Sequence, residues 1–378
     1  MNVQTPLALL GGLSPEQFMR QYWQKKPLLI RAAVPGLSPL VARDALFALA
    51  ANEAVESRLV EQKKGAWKFS HGPIGGVGTG EAKAVALPPL KRKDWTLLVQ
   101  GVDLHHVGVH ALLQQFRFVP DARLDDLMIS YASVGGGVGP HFDSYDVFLL
   151  QASGRRRWRI GAQKDLSLRH DVPLKILANF QPTQEFDLGP GDMLYLPPRY
   201  AHDGVALDND CQTYSIGFRA PSTEELAREL MHRVADEIED ESLYTDRAQL
   251  ATPKPAEIPT ALADFATQAV TKALADKTLM QQILGEYLTE PKDKVWFKAG
   301  KAPKKWTTVK LDRASRMMYD EKHVYLNGDS WKVAGKDAKL LRKLADARTL
   351  SATEVGAASA QLQSALGQFM EQGWLHAE

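Results

Sequence analysis

A single cysteine, Cys211, among 378 residues leaves no partner for an intramolecular disulfide and excludes a stapled secreted scaffold. No apolar run approaches the roughly 20 residues that span a bilayer. The Leu7-Ala8-Leu9-Leu10 run lacks a Lys or Arg before it and makes a poor signal peptide. Charge of one sign is missing too: 46 Lys and Arg face 45 Asp and Glu, so any affinity for nucleic acid must come from a local patch. There is no fixed-period repeat and no low-complexity tract. A soluble, cytoplasmic protein of two to three domains is expected.

What is present changes texture along the chain. Residues 1–50 read helical, with Ser14-Pro15-Glu16-Gln17 as a cap and Phe18, Tyr22 and Trp23 as an apolar face. Residues 55–220 hold short apolar or alternating runs: Leu127–Val134, Asp146–Gln151, Trp158–Gly161, Met193–Leu196 and Thr213–Phe218. Turn chemistry such as Gly135-Gly136-Gly137 and Gly189-Pro190-Gly191-Asp192 separates them, which points to a sandwich or closed barrel. From Ser222 the chain reads helical, with Leu226, Leu230, Val234 and Ile238 recurring every four residues. The proline-rich stretch 252–259 breaks it, and a second helical stretch runs over Thr260–Leu288. The last ninety residues read as a small α+β module. A hairpin Met317–Trp331 turns at Asn327-Gly328, and helices follow near Lys336–Ala347 and Ser351–Gly373.

The chemistry concentrates in Gly135-Gly136-Gly137-Val138-Gly139-Pro140-His141-Phe142-Asp143. A strand would place His141 and Asp143 on one face, where an imidazole and a carboxylate grip the same cation. The best third ligand is His202, which follows a turn, a strand and Pro197-Pro198. Two histidines and one carboxylate form the facial triad of non-haem Fe(II) oxygenases, with adjacent positions left for a chelating co-substrate and O2. Downstream, strand parity puts Arg156 and Trp158 on one face and Arg155, Arg157 and Arg159 on the other. An arginine pointing into a barrel beside iron needs a fixed anion, and the distal carboxylate of 2-oxoglutarate supplies one.

These residues resemble the bacterial ribosomal oxygenases of the JmjC (cupin-type) class, which act on an arginine of large-subunit ribosomal protein sixteen. The resemblance starts at Phe18-x3-Tyr22-Trp23-x-Lys25-Lys26-Pro27-Leu28-x-Ile30 and continues through Trp95–Asp103 and Asp125–Tyr131. Its centre is Gly135–Asp143, followed by Gly154-x-Arg156-x-Trp158 and Gly189-x-Gly191-Asp192-x-Leu194-Tyr195-x-Pro197-Pro198-x3-His202. It implies an α+β architecture: a double-stranded β-helix with N-terminal helices in 1–221, a helical dimerisation region in 222–288 and a winged-helix-like domain in 289–378. It implies Fe(II) on His141, Asp143 and His202, and 2-oxoglutarate on Arg156. A hydroxyl after the last histidine, here Ser215, would help to hold 2-oxoglutarate. Ser130 and Tyr145 are further site neighbours by parity. The implied reaction couples oxidative decarboxylation of 2-oxoglutarate to hydroxylation of an arginine β carbon, and Asp146 or Asp203 could meet the substrate guanidinium. The resemblance further implies a homodimer.

The competing reading is a ligand-sensing cupin joined to a winged-helix nucleic-acid-binding unit. The segment Pro291–Lys310 favours it, with seven lysines and one acid. Over Glu286–Glu378, however, 16 Lys and Arg face 12 Asp and Glu, weak for a dedicated DNA binder, so no sequence-specific nucleic-acid binding is expected.

Overall fold

The computed structural model describes residues 2–63, 65–76, 85–303 and 305–377. The chain divides into two compact units, Met1–Ala220 and Pro221–Glu378.

The first unit opens with α1 (Pro15–Gln21), whose Ser14 side chain and Gln17 form a reciprocal capping box. The chain continues through β1 (Leu28–Ile30), α2 (Arg43–Ala50), β2 (Ser57–Lys63), β3 (Ala66–His71) and β4 (Trp95–Val99). After α3 (Val102–His105) and α4 (Val107–Gln114) come β5 (Leu124–Ala132), β6 (Val147–Ser153) and β7 (Arg156–Gly161). The unit ends with β8 (Gln184–Leu188), β9 (Met193–Leu196), β10 (Ala201–Ala206) and β11 (Cys211–Phe218). One eight-stranded sheet has the order β1-β9-β6-β11-β5-β4-β2-β3, and a three-stranded sheet has the order β10-β7-β8. All named strand pairs are antiparallel.

Strand parity divides the apolar residues between two cores. On β6, Phe148 and Leu150 join Phe18, Leu46, Val109 and Phe116 in the large core between sheet and helices. Val147 and Leu149 point the other way, to Trp158, Ile160, Leu188 and Leu194 inside the barrel. The interior core is therefore small, and polar side chains share the space.

The N-terminal fifty residues are not purely helical. Leu28–Ile30 forms an edge strand, with Leu29 opposite Leu194 of β9. Its three residues are too few to show an alternating pattern in sequence, and sheet pairing supplies the structure.

In the second unit α5 (Thr223–Asp236) carries the expected cap, Ser222 accepting from the Glu225 amide. The stretch read as one helix over 260–288 is two, α6 (Thr260–Leu274) and α7 (Lys277–Thr289). The Asp276 carboxylate accepts from the Thr278 and Leu279 amides and starts a new helix in place of continuing the old one. The remaining module has β12 (Val309–Leu311), β13 (Met317–Tyr319), β14 (His323–Leu326) and β15 (Asp329–Lys332). After these come α8 (Gly335–Ala347), β16 (Thr349–Leu350), α9 (Ala352–Gly356), α10 (Ala360–Glu371) and β17 (Leu375–Ala377). Leu326 pairs with Asp329 across Asn327-Gly328, both left-handed at φ 52° and 96°, the geometry of a type I′ hairpin turn. Helix α7 packs on this hairpin, where a Cβ on Gly285 would lie 2.3 Å from the Tyr325 ring.

Candidate active site

His141 lies in no continuous strand. It forms a single antiparallel bridge with His202, each backbone N–H donating to the other's carbonyl at 2.9 and 2.8 Å. The chain then turns, and the Arg199 N–H donates to the Asp143 carbonyl at 2.7 Å. The two-residue spacing therefore works through one bridge and a pinned loop, where a full strand was expected.

The glycine loop permits this approach. Gly135 and Gly139 are left-handed, and a Cβ on Gly137 would stand 2.6 Å from the Gly204 carbonyl oxygen.

The donor atoms of His141, Asp143 and His202 all fall within 4.8 Å of one another, the one such cluster of three among the described residues. His202 Nε2 is 3.6 Å from Asp143 Oδ2, and the imidazole centroids are 4.2 Å apart. Each histidine sets its Nδ1 against a backbone carbonyl at 2.9 Å, Gly139 for His141 and Tyr200 for His202. With the proton on Nδ1, the Nε2 lone pair of each ring faces the shared cluster. Burial foremost, and then the neighbouring His141, lower the His202 pKa to about 4, against the opposing pull of Asp143. His202 is thus neutral at physiological pH, the state a cation requires.

Arg156 enters the same interior from β7. It is 4% exposed; its Nη1 donates to the Gly204 carbonyl at 3.5 Å, while Nε and Nη2 are buried without a hydrogen-bond partner among the described residues. The other arginines of this strand behave as parity predicts. Arg155 pairs with Asp208, Arg157 with Asp187 and Arg159 with Asp203. A buried guanidinium left with unmet donors costs several kcal/mol unless an anion arrives. The site therefore fits a carboxylate.

Trp158 links the two ends. Its ring is 5.8 Å from His202 and 5.7 Å from the Arg156 guanidinium, and its indole N–H is buried without a hydrogen-bond partner among the described residues. Gly204, opposite it on β10, leaves the room: a Cβ there would be 2.6 Å from the indole. Gly204→Ala should therefore cost about 1–3 kcal/mol of stability through overpacking, readable in thermal unfolding of the metal-free protein.

Ser215 is half-buried on β11, between Met128 and Leu149, on the strand face turned to the barrel interior. Ser130 is deeper, and its hydroxyl donates to the Thr213 carbonyl at 3.4 Å. Neither belongs to the three-residue cluster. Tyr145 stands 39% exposed, its phenol pKa raised by burial first and then by Asp143 and Asp126.

Asp146 and Asp203 are not available to a substrate guanidinium. Asp146, fully buried, accepts from Tyr195 Oη and Gln24 Nε2 and pairs with Arg123, while Asp203 is held by Arg159. Each carboxylate already neutralises a cation of this chain. Asp126 was missed. It lies two residues before Met128 on the interior face of β5, accepting from Gln100 Nε2 at 2.7 Å and the Gly101 amide at 2.8 Å. The adjacent acids Asp125-Asp126 at a strand start were its only signal in sequence.

Comparison with known proteins places these features in company. Residues 111–226 match the model of the JmjC domain, and residues 272–376 match that of the ROXA-like winged helix. The chain is 36% identical over 280 residues to the ribosomal protein uL16 3-hydroxylase of Escherichia coli K12, covering 72% of this chain and 70% of that protein. It is 35% identical over 279 residues to a probable ribosomal oxygenase of Haemophilus influenzae, covering 70% and 64%. A solved structure of the Escherichia coli ribosomal oxygenase in complex with cobalt and 2-oxoglutarate superposes with a TM-score of 0.81 at 29% identity, over 97% of this chain and 98% of that one. Another structure of the Escherichia coli protein gives 0.82 at 30% identity, over 96% and 98%.

Proposed function

This chain belongs to the JmjC ribosomal oxygenases, and on that premise we propose that it hydroxylates the β carbon of an arginine of ribosomal protein uL16, using Fe(II), 2-oxoglutarate and O2. The observation that carries this reading is the orphaned Arg156 guanidinium, buried in the interior that also holds the three-residue cluster. On this reading His141, Asp143 and His202 are the metal ligands, and Arg156 takes the distal carboxylate of 2-oxoglutarate. Bound iron with the 2-oxo acid and O2 supplies the oxidising power for an unactivated C–H bond, and 2-oxoglutarate leaves as succinate and CO2.

The protein's own work is placement and exclusion of water. The backbone carbonyls of Gly139 and Tyr200 orient the two imidazoles. Ser215, facing the interior, is positioned to assist the carboxylate; Ser130 supports the neighbouring strand and could contribute there. Asp126, on the interior face of β5, is the carboxylate we assign to the substrate guanidinium.

The partition into a catalytic domain over 1–221, a dimerisation region over 222–288 and a winged-helix-like domain over 289–378 is part of the same proposal. Helix α6 has no buried residue, and Leu262, Val270 and Leu274 on it are 39–61% exposed, which suits a homodimer contact. Light scattering at micromolar concentration should give twice the chain mass; a monomeric mass counts against the contact. No helix among the described residues is long and apolar enough to cross a membrane, and a ribosomal substrate supports a cytoplasmic location.

The decisive experiment is mass spectrometry of uL16 incubated with the enzyme, Fe(II) and 2-oxoglutarate in air. One oxygen atom should be added, on an arginine, only when both cofactors are present. An unmodified protein, or oxidation elsewhere, contradicts the reading. The regulator alternative predicts salt-sensitive retardation of duplex DNA, and no such retardation is expected.

A further inference from the structure

Strands β2 and β3 carry the large sheet beyond the barrel. The register runs Thr213–Ser130–Leu98–Arg58–His71 across five strands, so the face of β3 that bears His71 continues the barrel's interior face. Phe69 and Trp67 share that face, opposite Val60 and Gln62.

Both aromatics are half-exposed, and neither belongs to a core cluster among the described residues. Their position is telling: a Cβ on Gly139 would lie 3.2 Å from Trp67 Cζ2, and the Gly139 carbonyl is the one that orients His141. Phe69 and His71 meet edge to face at 4.8 Å. The aromatic row thus starts beside Gly139, two residues before a histidine of the three-residue cluster.

We propose that this face of β3 is a docking shelf for an extended segment of the substrate protein, with a cationic side chain next to the target arginine lying over Trp67 or Phe69. The proposal rests on the reading of the chain as a hydroxylase of a ribosomal protein, and it names what the enzyme recognises beside the reacting residue. Two properties of the site fit such an occupant. Indole and phenyl faces attract Lys and Arg within about 6 Å, and the Asp126 carboxylate on the interior face that β3 continues favours a basic neighbour. Contacts made alike before and during reaction change KM and leave kcat in place.

The test uses the full-length enzyme and a uL16 peptide around the modified arginine. Trp67→Ala combined with Phe69→Ala should raise the peptide KM about tenfold, with kcat held within about twofold. Calorimetric 2-oxoglutarate affinity with Mn(II) should not change, and Trp67→Phe should keep KM near that of the wild type. In the wild type, replacing the peptide's flanking Lys and Arg by Gln should raise KM by a similar factor, and in the double variant it should add little. An unchanged KM in the double variant overturns the shelf while the hydroxylase reading stands. If wild-type enzyme leaves the ribosomal protein untouched, the reading falls and the shelf with it. Should the double variant lose 2-oxoglutarate binding, the charge-stripped peptide on wild-type enzyme decides: a raised KM supports the shelf and an unchanged one overturns it.

Discussion

Arg156→Ala should weaken 2-oxoglutarate binding about 100-fold or more in anaerobic calorimetry with Mn(II), while the metal itself still binds. The size follows from the site. Removing one partner of a buried, hydrogen-bonded charge pair costs about 3–5 kcal/mol, because the other charge is left without compensation. Here the guanidinium has two buried nitrogens with no hydrogen-bond partner among the described residues, so the carboxylate would meet nearly all of its unmet demand. The same variant should keep or gain folding stability, because it removes an unpaired buried charge. A purely structural arginine predicts the reverse, with stability lost and affinity intact. Arg156→Lys should fall between, since an ammonium retains the charge and gives up the two-pronged geometry.

The second large effect is expected at Asp143. Asp143→Ala should lower hydroxylation of uL16 about 1,000-fold or more, because two imidazoles alone make a weak site for a hard divalent cation and lose the charge that offsets it. The fold should survive the change. Asp143 is partly exposed, and its position is held through its backbone carbonyl by the Arg199 amide, which alanine preserves. The assay reads hydroxylated peptide per unit time at saturating 2-oxoglutarate, with circular dichroism as the check on folding. Retention of a tenth of the wild-type rate would remove Asp143 from the ligand set proposed here.

Much of the candidate site could be read before any coordinates. The spacing His141-x-Asp143 and the Pro197-Pro198 approach to His202 pointed to a single cluster, and the three donors do converge. Parity on one strand separated Arg156 from Arg155, Arg157 and Arg159, and the structure separates them in the same way, one orphaned and three paired. The arginine parity held because it depends on local periodicity, whereas His141 and Asp143 meet His202 through a single bridge in place of the strand expected.

The losses have a common cause. Asp146 and Asp203 looked available because nothing local in sequence reveals that Arg123 and Arg159 neutralise them from other strands. Asp126 escaped notice because its interior orientation depends on register with β4 and β11. The break between α6 and α7 turned on one aspartate preferring a cap to a helix interior, a choice worth about 1 kcal/mol that apolar spacing does not record. The edge strand Leu28–Ile30 exists through its pairing with β9.

On the proposed reading, three side chains hold one iron beside an arginine that waits for the co-substrate. Anaerobic titration of the wild-type chain with Fe(II), with and without 2-oxoglutarate, puts this to the test. One iron per chain is predicted, lost in His202→Ala, together with one 2-oxoglutarate whose affinity rises sharply once the metal is present. Iron binding that survives His202→Ala, or 2-oxoglutarate binding indifferent to iron, would contradict the account.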